Sequence, residues 1–290
     1  MPRARPSLLA ALIALIALSA PMQAISLLER TPYHGAFDAV GAPGSALLLQ
    51  AWFQRSAALQ KAVEHTPVRV EVQRDGAWWP VGTTRTDGEG HAVLPWKAPA
   101  QPGTYRLRWW VGGQSAEACV HVVLAGRAAT VFDIDGTLTP SDSENLKDYA
   151  RRLLRRQKAA GPALRRGAVA AARRAAADSL PVYLSGRPSW LARPTREWLA
   201  FHGFPRGVVL LLAHSGDVLP TSDRVGRAKT EQLEALKAAG LVIVRAYGNA
   251  PTDIHAYAAA GVPKDQTFIL GVHGGEDGTV ALGEAFPERP

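Results

Sequence analysis

Residues 132–139 read FDIDGTLT, and the first part of this stretch ends a short apolar run over residues 129–134. Alternation along a strand places Asp133 and Asp135 on the same side, and Gly136 allows the chain to turn away sharply. Two carboxylates that lie so close repel each other unless a cation sits between them or one of them is protonated. A hard cation such as Mg²⁺ meets that need, so the stretch predicts a strand that ends in an acidic, metal-binding site.

Further apolar runs follow this stretch and alternate with helix-like segments. The runs lie at residues 181–184, 208–212, 241–244 and 267–270, and the helical patterns lie at residues 163–177, 190–201, 228–239 and 253–260. Strands that alternate with helices indicate a mostly parallel sheet with helices on both faces. We therefore predict an α/β domain over residues 127–290, in which ligands bind beyond the carboxyl ends of the strands.

Residues 25–126 have the pattern of an all-β domain. Val68, Val70 and Val72 alternate with polar residues, and similar alternation recurs over residues 105–111 and 118–124. Turn signals separate these runs, and further strands are predicted at residues 47–53 and 78–82. Short strands at such intervals are typical of a small immunoglobulin-like β-sandwich. The boundary near residue 126 has almost no linker, so we expect the two domains to be docked together.

Polar residues that follow the later apolar runs could complete the acidic site. Ser185 and Gly186 follow the second run, where a hydroxyl and backbone N–H groups can hold a phosphoryl oxygen. Lys229 opens a helical segment, and its ammonium can offset the negative charge of phosphate and carboxylates. Asn249 and Asp253 can complete the oxygen shell of a metal. Asp253 is equally suited to cap the helix that begins beside it.

Taken together in chain order, these residues resemble the four motifs of haloacid dehalogenase-like phosphatases. The similarity is closer to one branch, the C-terminal domain of lipins and of Nir-type phosphatidylinositol-transfer proteins. It is carried by the stretches FDIDGTLT (132–139), YLSGRP (183–188), WLAFHGFPRGVV (198–209) and AYGNAPTDIHAY (246–257). The resemblance covers residues 127–275 and implies a Rossmann-like phosphatase domain that uses Mg²⁺.

The resemblance also implies a role for each site residue. Asp133 would be the nucleophile that forms an aspartyl-phosphate, and Asp135 would protonate the leaving oxygen and then activate water. The residues that hold the transferring phosphoryl group would be Thr137, Ser185, Gly186 and Lys229. The residues that hold Mg²⁺ would be Asp133, Asp135 through its backbone carbonyl, and Asn249, with Asp253 in support.

The two groups within this branch differ in function. Lipins are phosphatidate phosphatases, whereas the Nir-type domain is regarded as a phosphatidic-acid binder. Thr137 completes the DxDGT pattern, where the Nir-type domain usually carries serine, and this favours catalysis. The leading prediction is Mg²⁺-dependent hydrolysis of a phosphate monoester, above all phosphatidate. The alternatives are a non-catalytic phosphatidic-acid-binding module and a phosphatase of a soluble monoester.

The chain is basic, with a formal net charge of +8, and this favours anionic partners. Arginines cluster within residues 151–156 and 165–174, between the first two motifs. They could contact the anionic headgroups of a membrane surface, or they could form a solvated helix face. No nucleic-acid-binding motif is visible, so phosphorylated small molecules and phosphatidate are the expected partners.

Residues 1–24 have the features of a signal peptide. Arg3 and Arg5 precede an apolar run over residues 8–20, which is shorter than the ~20 residues that a membrane span needs. We therefore predict cleavage near residue 24 and a periplasmic or secreted mature protein, the alternative being an uncleaved N-terminal anchor. Cys119 is the single cysteine, which excludes an intramolecular disulfide and is compatible with export.

Overall fold

The computed structural model describes residues 33–56, 61–140, 162–212 and 222–287. In these ranges the protein is mixed α/β, with two sheets from the first part of the chain and a parallel sheet from the second. The predicted signal peptide and the arginines within residues 151–156 lie outside the described residues. Within the described ranges, no helix is long and apolar enough to cross a membrane.

The first part of the described chain is built from β-strands alone. The strands are β1 Tyr33–Ala36, β2 Ala39–Gly41, β3 Ala46–Ser56, β4 Lys61–Ala62, β5 Pro67–Arg74, β6 Ala77–Arg85, β7 His91–Lys97, β8 Gly103–Val111 and β9 Gln114–Val122. One sheet has the order β1-β3-β4, with β7 also paired to β3, and the other has the order β2-β9-β8-β5-β6. The pairs are antiparallel except β2 with β9, which is parallel.

The two β-sheets bury one shared core. Val68, Val70 and Val72 point inward from β5, as their alternation predicts, and they belong to the same apolar cluster as Leu49 and Phe53 of β3. A sheet with one apolar face is stable in water only if another layer covers that face. The two sheets therefore lie face to face.

The second part of the described chain alternates strands with helices. The strands are β10 Arg127–Asp133, β11 Leu180–Pro188, β12 Val208–Leu212, β13 Leu241–Gly248, β14 Thr267–Leu270 and β15 Val280–Gly283. The helices are α1 Ala168–Ala175, α2 Ala192–Phe201, α3 Ser222–Ala238 and α4 Pro251–Ala259. The strands form one sheet in the order β12-β11-β10-β13-β14-β15, and each pair is parallel.

Strand β10 is central, and helices cover both faces of its sheet. Phe132 packs in a cluster with Trp198 of α2, whereas Val131 packs on the other face with Leu233 of α3 and Tyr257 of α4. The predicted parallel sheet with helices on both sides is therefore confirmed. Strands β11 and β12 lie on one side of β10 and β13 to β15 lie on the other, so the strand order reverses at β10 and opens a crevice at its carboxyl end.

Several elements depart from the sequence-based expectation. The strands that were not predicted are β1, β2, β4, β7 and β15. Strand β7 contains Pro95, a residue that is rare inside a sheet, yet β7 pairs with β3. Strand β15 is short and half-exposed, so its apolar pattern is weak. Helix α3 begins at Ser222 rather than at residue 228, with Gly226 inside it. A Cβ atom on Gly226 would lie 3.7 Å from Cγ2 of Thr252, an ordinary van der Waals distance, so the packing of α3 on α4 does not require glycine at this position.

A buried carboxylate joins the β-sheets to the parallel sheet. Oδ1 of Asp38 accepts hydrogen bonds from the backbone N–H of Cys119 in β9, at 2.7 Å, and from Nη2 of Arg196 in α2, at 2.8 Å. Oδ2 of Asp38 accepts from the backbone N–H of Val209 in β12, at 2.9 Å. The two parts of the chain are therefore in direct contact through a charged, hydrogen-bonded junction.

Candidate active site

The predicted site residues meet at the carboxyl ends of three neighbouring strands. Asp133 ends β10, Ser185 lies near the end of β11, and Asn249 follows β13. Helix α3 brings Lys229 to the same edge, and helix α4 brings Asp253. These residues are joined by hydrogen bonds that form two clusters, one around Lys229 and one around Arg187.

The first cluster, here named the Lys229 cluster, consists of Lys229, Asp133 and Asp253. Nζ of Lys229 donates to Oδ1 of Asp133 and to Oδ1 of Asp253, each at 2.6 Å. The exposed fractions of the side chains are 5% for Lys229, 2% for Asp133 and 0% for Asp253. One ammonium is therefore shut away from water between two carboxylates.

The charges of the Lys229 cluster do not balance. Burial raises the pKa of Asp133 well above its usual value, the charge of Asp253 raises it further, and Lys229 opposes the rise. Burial disfavours the charged form of Lys229, but the two carboxylates outweigh it and hold the pKa of this lysine above its usual value. Two ionised carboxylates and one ammonium would leave one excess negative charge, which either a proton on Asp133 or a divalent cation beside it would offset.

Asp253 has both carboxylate oxygens engaged inside the protein. Oδ1 accepts from Lys229, and Oδ2 accepts from the backbone N–H groups of Asn249, at 3.0 Å, and Ala250, at 3.1 Å. These two N–H groups lie at the start of α4, where a carboxylate satisfies donors that the helix leaves without partners. Asp253 thus holds the turn that carries Asn249 and also anchors Lys229.

Three oxygen-bearing groups converge beside Asp133. In one orientation of the Asn249 amide, Oδ1 accepts from Oγ1 of Thr137 at 2.9 Å and lies 2.9 Å from the backbone oxygen of Asp135 and 3.3 Å from Oδ2 of Asp133. In the other orientation, Nδ2 takes this place and donates to the same oxygens. Oxygens bound to Mg²⁺ in adjacent octahedral positions are about 2.9 Å apart. The spacing fits a Mg²⁺ ion held by Asp133, the Asp135 carbonyl and Asn249.

The groups that could hold a metal ion are chemically mixed. Within the described part of the chain, no three side chains of His, Cys, Asp or Glu are grouped so as to hold a metal ion. The candidate set instead combines one carboxylate, one backbone carbonyl and one amide. Oxygen ligands of this kind suit Mg²⁺, whereas zinc sites use cysteine and histidine.

The second cluster, here named the Arg187 cluster, consists of Arg187, Asp135, Ser185 and Thr195. Nε of Arg187 lies 3.1 Å from Oδ1 and 2.9 Å from Oδ2 of Asp135, and Nη2 lies 2.9 Å from Oδ1. Oγ of Ser185 donates to Oδ2 of Asp135 at 2.7 Å, and Nη1 of Arg187 donates to Oγ1 of Thr195 at 3.0 Å. The exposed fractions are 19% for the Asp135 side chain and 11% for that of Arg187.

No role was predicted for Arg187 or Thr195 from the sequence. The spacing of Arg187 could have indicated its place at the site. Residues two apart on a strand share a face, and Arg187 lies two residues after Ser185 in β11. Thr195 gives no such signal, since it reaches Arg187 from α2 and is an ordinary helical residue in sequence. The structure therefore adds two residues to the predicted site.

Thr137 and Gly186 were predicted to hold a phosphoryl group. Thr137 is buried, and its hydroxyl is hydrogen-bonded to the side-chain amide of Asn249 in either orientation of that amide. Gly186 faces α3, where a Cβ atom would lie 3.1 Å from Cγ1 of Val225. Both residues lie at the site. The Thr137 side chain and the Cα of Gly186 face other residues of the protein, namely Asn249 and Val225.

Part of the arginine-rich region supports the site from within. Arg165 is buried, and its guanidinium donates to the backbone oxygens of Gly136 at 2.6 Å, Thr137 at 3.1 Å and Glu284 at 2.8 Å. It therefore fixes the loop that follows Asp135. Arg165 does not belong to an exposed basic face, which corrects the expectation that it could contact lipid headgroups.

Comparisons with known proteins agree with the resemblance to the C-terminal domain of Nir-type phosphatidylinositol-transfer proteins. Residues 130–271 match the family model described as "PITM 1-3, LNS2 domain". Membrane-associated phosphatidylinositol transfer protein 1 of Rattus norvegicus is 34% identical in an alignment of 206 residues that covers 68% of this chain and 15% of that protein. Protein retinal degeneration B of Drosophila melanogaster is 28% identical in an alignment of 246 residues that covers 82% of this chain and 18% of that protein.

The chain spans only a small part of these relatives. Membrane-associated phosphatidylinositol transfer protein 3 of Mus musculus is 25% identical in an alignment of 258 residues that covers 85% of this chain and 24% of that protein.

Among solved structures, the M1 domain from titin matches 32% of this chain and 93% of the titin chain, at 16% identity and a TM-score of 0.22. A score this low establishes no shared fold.

Proposed function

Because residues 130–271 match the LNS2 domain family, we propose that this region is a haloacid dehalogenase-like domain that binds a phosphate monoester and hydrolyses it. The domain before it is proposed to be an immunoglobulin-like β-sandwich. The observation that supports hydrolysis is the buried pair of Asp133 and Lys229, 2.6 Å apart, at the end of the central strand. A lysine held there neutralises charge on a nucleophilic carboxylate and on an incoming phosphoryl group.

The proposed reaction has two displacement steps. An Asp133 oxygen attacks phosphorus, the bond between phosphorus and the leaving oxygen breaks, and Asp135 gives its proton to that oxygen. Asp135 then takes a proton from a water molecule that attacks phosphorus, which breaks the bond to Asp133 and releases inorganic phosphate. Ser185 and Lys229 hold the phosphoryl oxygens, since phosphoryl transfer depends mainly on alignment and charge neutralisation.

The resident cation is proposed to be Mg²⁺, held by Asp133, the Asp135 carbonyl and Asn249. Such a cation neutralises the charge that gathers on the phosphoryl oxygens. We expect phosphate release to stop in the presence of a chelator and to return when Mg²⁺ is added in excess. Hydrolysis at an unchanged rate in chelated protein would contradict the metal assignment.

The proposed substrate is phosphatidate. The relatives in the comparisons are named as membrane-associated phosphatidylinositol transfer proteins, and a basic chain favours an anionic surface. A second candidate function is a non-catalytic phosphatidic-acid-binding module. It is favoured by the Arg187 cluster, in which both oxygens of Asp135 already accept hydrogen bonds from protein donors.

The deciding experiment measures phosphate release from phosphatidate in mixed micelles and from glycerol phosphate, each with and without Mg²⁺. The matched control is Asp133→Asn, which retains the size of the side chain. Faster release from phosphatidate supports the lipid phosphatase, and equal rates indicate a general phosphatase of soluble monoesters. Phosphatidate binding without any phosphate release would support the binding module.

Ionic strength separates the membrane contact from the chemistry. Charges more than about 8 Å apart are largely screened at physiological ionic strength. We expect added salt to slow phosphatidate hydrolysis more than glycerol phosphate hydrolysis. The basic protein must associate with an anionic lipid surface to reach phosphatidate, whereas glycerol phosphate diffuses freely. Equal salt dependence for the two substrates would indicate that the arginines other than Arg165 in the arginine-rich region are solvated and do not contact the lipid.

Export is also a proposal, and residues 1–24 carry it. N-terminal sequencing of the native protein should find a chain that starts near Ile25 in the periplasmic or extracellular fraction. A cytosolic protein that starts at Met1 would contradict this proposal.

A further inference from the structure

Two donor groups at the site, Ser185 and Arg187, are both turned toward the carboxylate of Asp135. Oγ of Ser185 lies 2.7 Å from Oδ2, and the guanidinium of Arg187 contacts both oxygens within 3.1 Å. A hydroxyl and a guanidinium that converge on one point form a cradle for an anion. The anion in this cradle belongs to the protein itself.

Arg187 is well suited to hold either a carboxylate or a phosphoryl group. Its planar guanidinium pairs in bidentate fashion with both. Oγ1 of Thr195, which is fully buried, accepts from Nη1 and anchors the guanidinium from behind. The Asp135 side chain, in contrast, is 19% exposed, so the carboxylate that occupies the cradle is in contact with solvent.

We propose that Asp135 is an internal occupant of the cradle formed by Ser185 and Arg187, and that a dianionic phosphoryl group displaces it. This inference rests on the proposed function, since it concerns the same site. A phosphate monoester carries close to two negative charges at neutral pH, against one for a carboxylate. The exchange replaces hydrogen bonds and makes or breaks no covalent bond.

Displacement would couple substrate binding to proton transfer. While Asp135 is held by Ser185 and Arg187, its oxygens face protein donors rather than a leaving group. Once a phosphoryl group takes the cradle, Asp135 is released to protonate the leaving oxygen and to activate water. Arg187 is then a phosphoryl-binding residue with a positioning effect on Asp135, which the sequence motifs did not assign.

The test measures binding of inorganic phosphate to the full chain in Mg²⁺ by titration calorimetry. Arg187→Gln should weaken binding about tenfold, the scale of one lost hydrogen bond to a charged group. Asp135→Asn should tighten binding, because a neutral amide competes poorly for the cradle. The loss of phosphate affinity caused by Arg187→Gln should be larger in the Asp135→Asn background than in the parent. In that background Arg187 is not paired with a carboxylate before phosphate binds. Arg187→Lys should recover part of the affinity.

The matched control is Arg193→Gln. Arg193 is an arginine of the adjacent helix α2, is 77% exposed and pairs with Glu197, so its replacement should leave phosphate affinity unchanged. Thermal unfolding of each variant confirms that the fold is retained. Arg187→Gln protein that binds phosphate as tightly as the parent would overturn the exchange, even if turnover fell. If the parent itself neither binds nor releases phosphate, the proposed function fails together with the exchange.

Discussion

Asp133 and Asp135 lie two residues apart at one strand end, yet they belong to clusters of different character. The Lys229 cluster is almost fully buried, with exposed side-chain fractions of 5% or less. The Arg187 cluster reaches solvent, because 19% of the Asp135 side chain is exposed. A buried ion pair is held rigidly, whereas a pair at the rim of a site can exchange its partners.

Charge balance separates the two clusters as well. The Lys229 cluster holds two carboxylates and one ammonium, whereas the Arg187 cluster pairs one guanidinium with one carboxylate. The first needs a proton or a further cation for neutrality, and the second needs neither. The proposed nucleophile, Asp133, therefore lies in a buried cluster that favours a proton or a cation, whereas the proposed proton-transferring residue, Asp135, lies in a neutral cluster that reaches solvent.

Replacing Asp133, the proposed nucleophile, should have the largest effect. In Asp133→Asn, we expect turnover to fall by at least about 10⁴-fold, the scale seen when a catalytic nucleophile is lost, because an amide cannot form the aspartyl-phosphate. The melting temperature without Mg²⁺ should not fall, since the change removes the excess negative charge of the Lys229 cluster. Initial rates and thermal unfolding measure the two effects. Retention of full activity would end the proposed mechanism.

Replacing the proton-transferring residue should have the next largest effect. Turnover in Asp135→Asn should fall by roughly 10²–10⁴-fold, the usual contribution of general acid–base catalysis. A substrate with a more acidic leaving group should recover part of the lost rate, because it needs less protonation. An equal loss with both kinds of leaving group would argue that Asp135 acts only in binding.

Removing the positively charged side chain of each cluster should destabilise the fold, and the extent should differ between the two clusters. Lys229→Met leaves two carboxylates buried without a counter-charge, which should lower the free energy of unfolding by about 3–5 kcal/mol. Arg187→Met should lower it by about 1–3 kcal/mol, because Asp135 keeps Ser185 and some contact with water. Urea titration without Mg²⁺ measures both values. Adding Asp253→Asn to Lys229→Met should recover part of the loss, and equal losses in the two single variants would erase the distinction between the clusters.

The smallest effect is expected from replacing Thr195, which supports Arg187 from helix α2. Thr195→Val removes the hydroxyl that anchors Arg187, which should lower the free energy of unfolding by about 1–2 kcal/mol. Phosphate affinity should fall less than in Arg187→Gln, because the guanidinium remains present. A larger loss of affinity than in Arg187→Gln would show that Thr195 itself contacts the anion.

The sequence alone predicted the parallel sheet and the residues at its carboxyl edge. Apolar runs that alternate with helical patterns predicted strands β10 to β14, because burial on both faces requires continuous apolar side chains. Asp133, Ser185 and Asn249 follow three of these runs, and strands in a parallel sheet end at one edge. Their proximity therefore follows from local pattern and chain direction.

Only the tertiary structure decided which partners the charged residues choose. Arg187 pairs with Asp135 across 52 positions, Arg165 reaches Glu284 across 119 positions, and Asp38 reaches Val209 across 171 positions. An arginine has the same local preferences whether it is solvated or buried, so its sequence neighbours cannot reveal its partner. The burial of Arg165, the two clusters and the Asp38 junction arise because folding removes water from these groups, and a desolvated charge must then be met by whichever group the fold brings close.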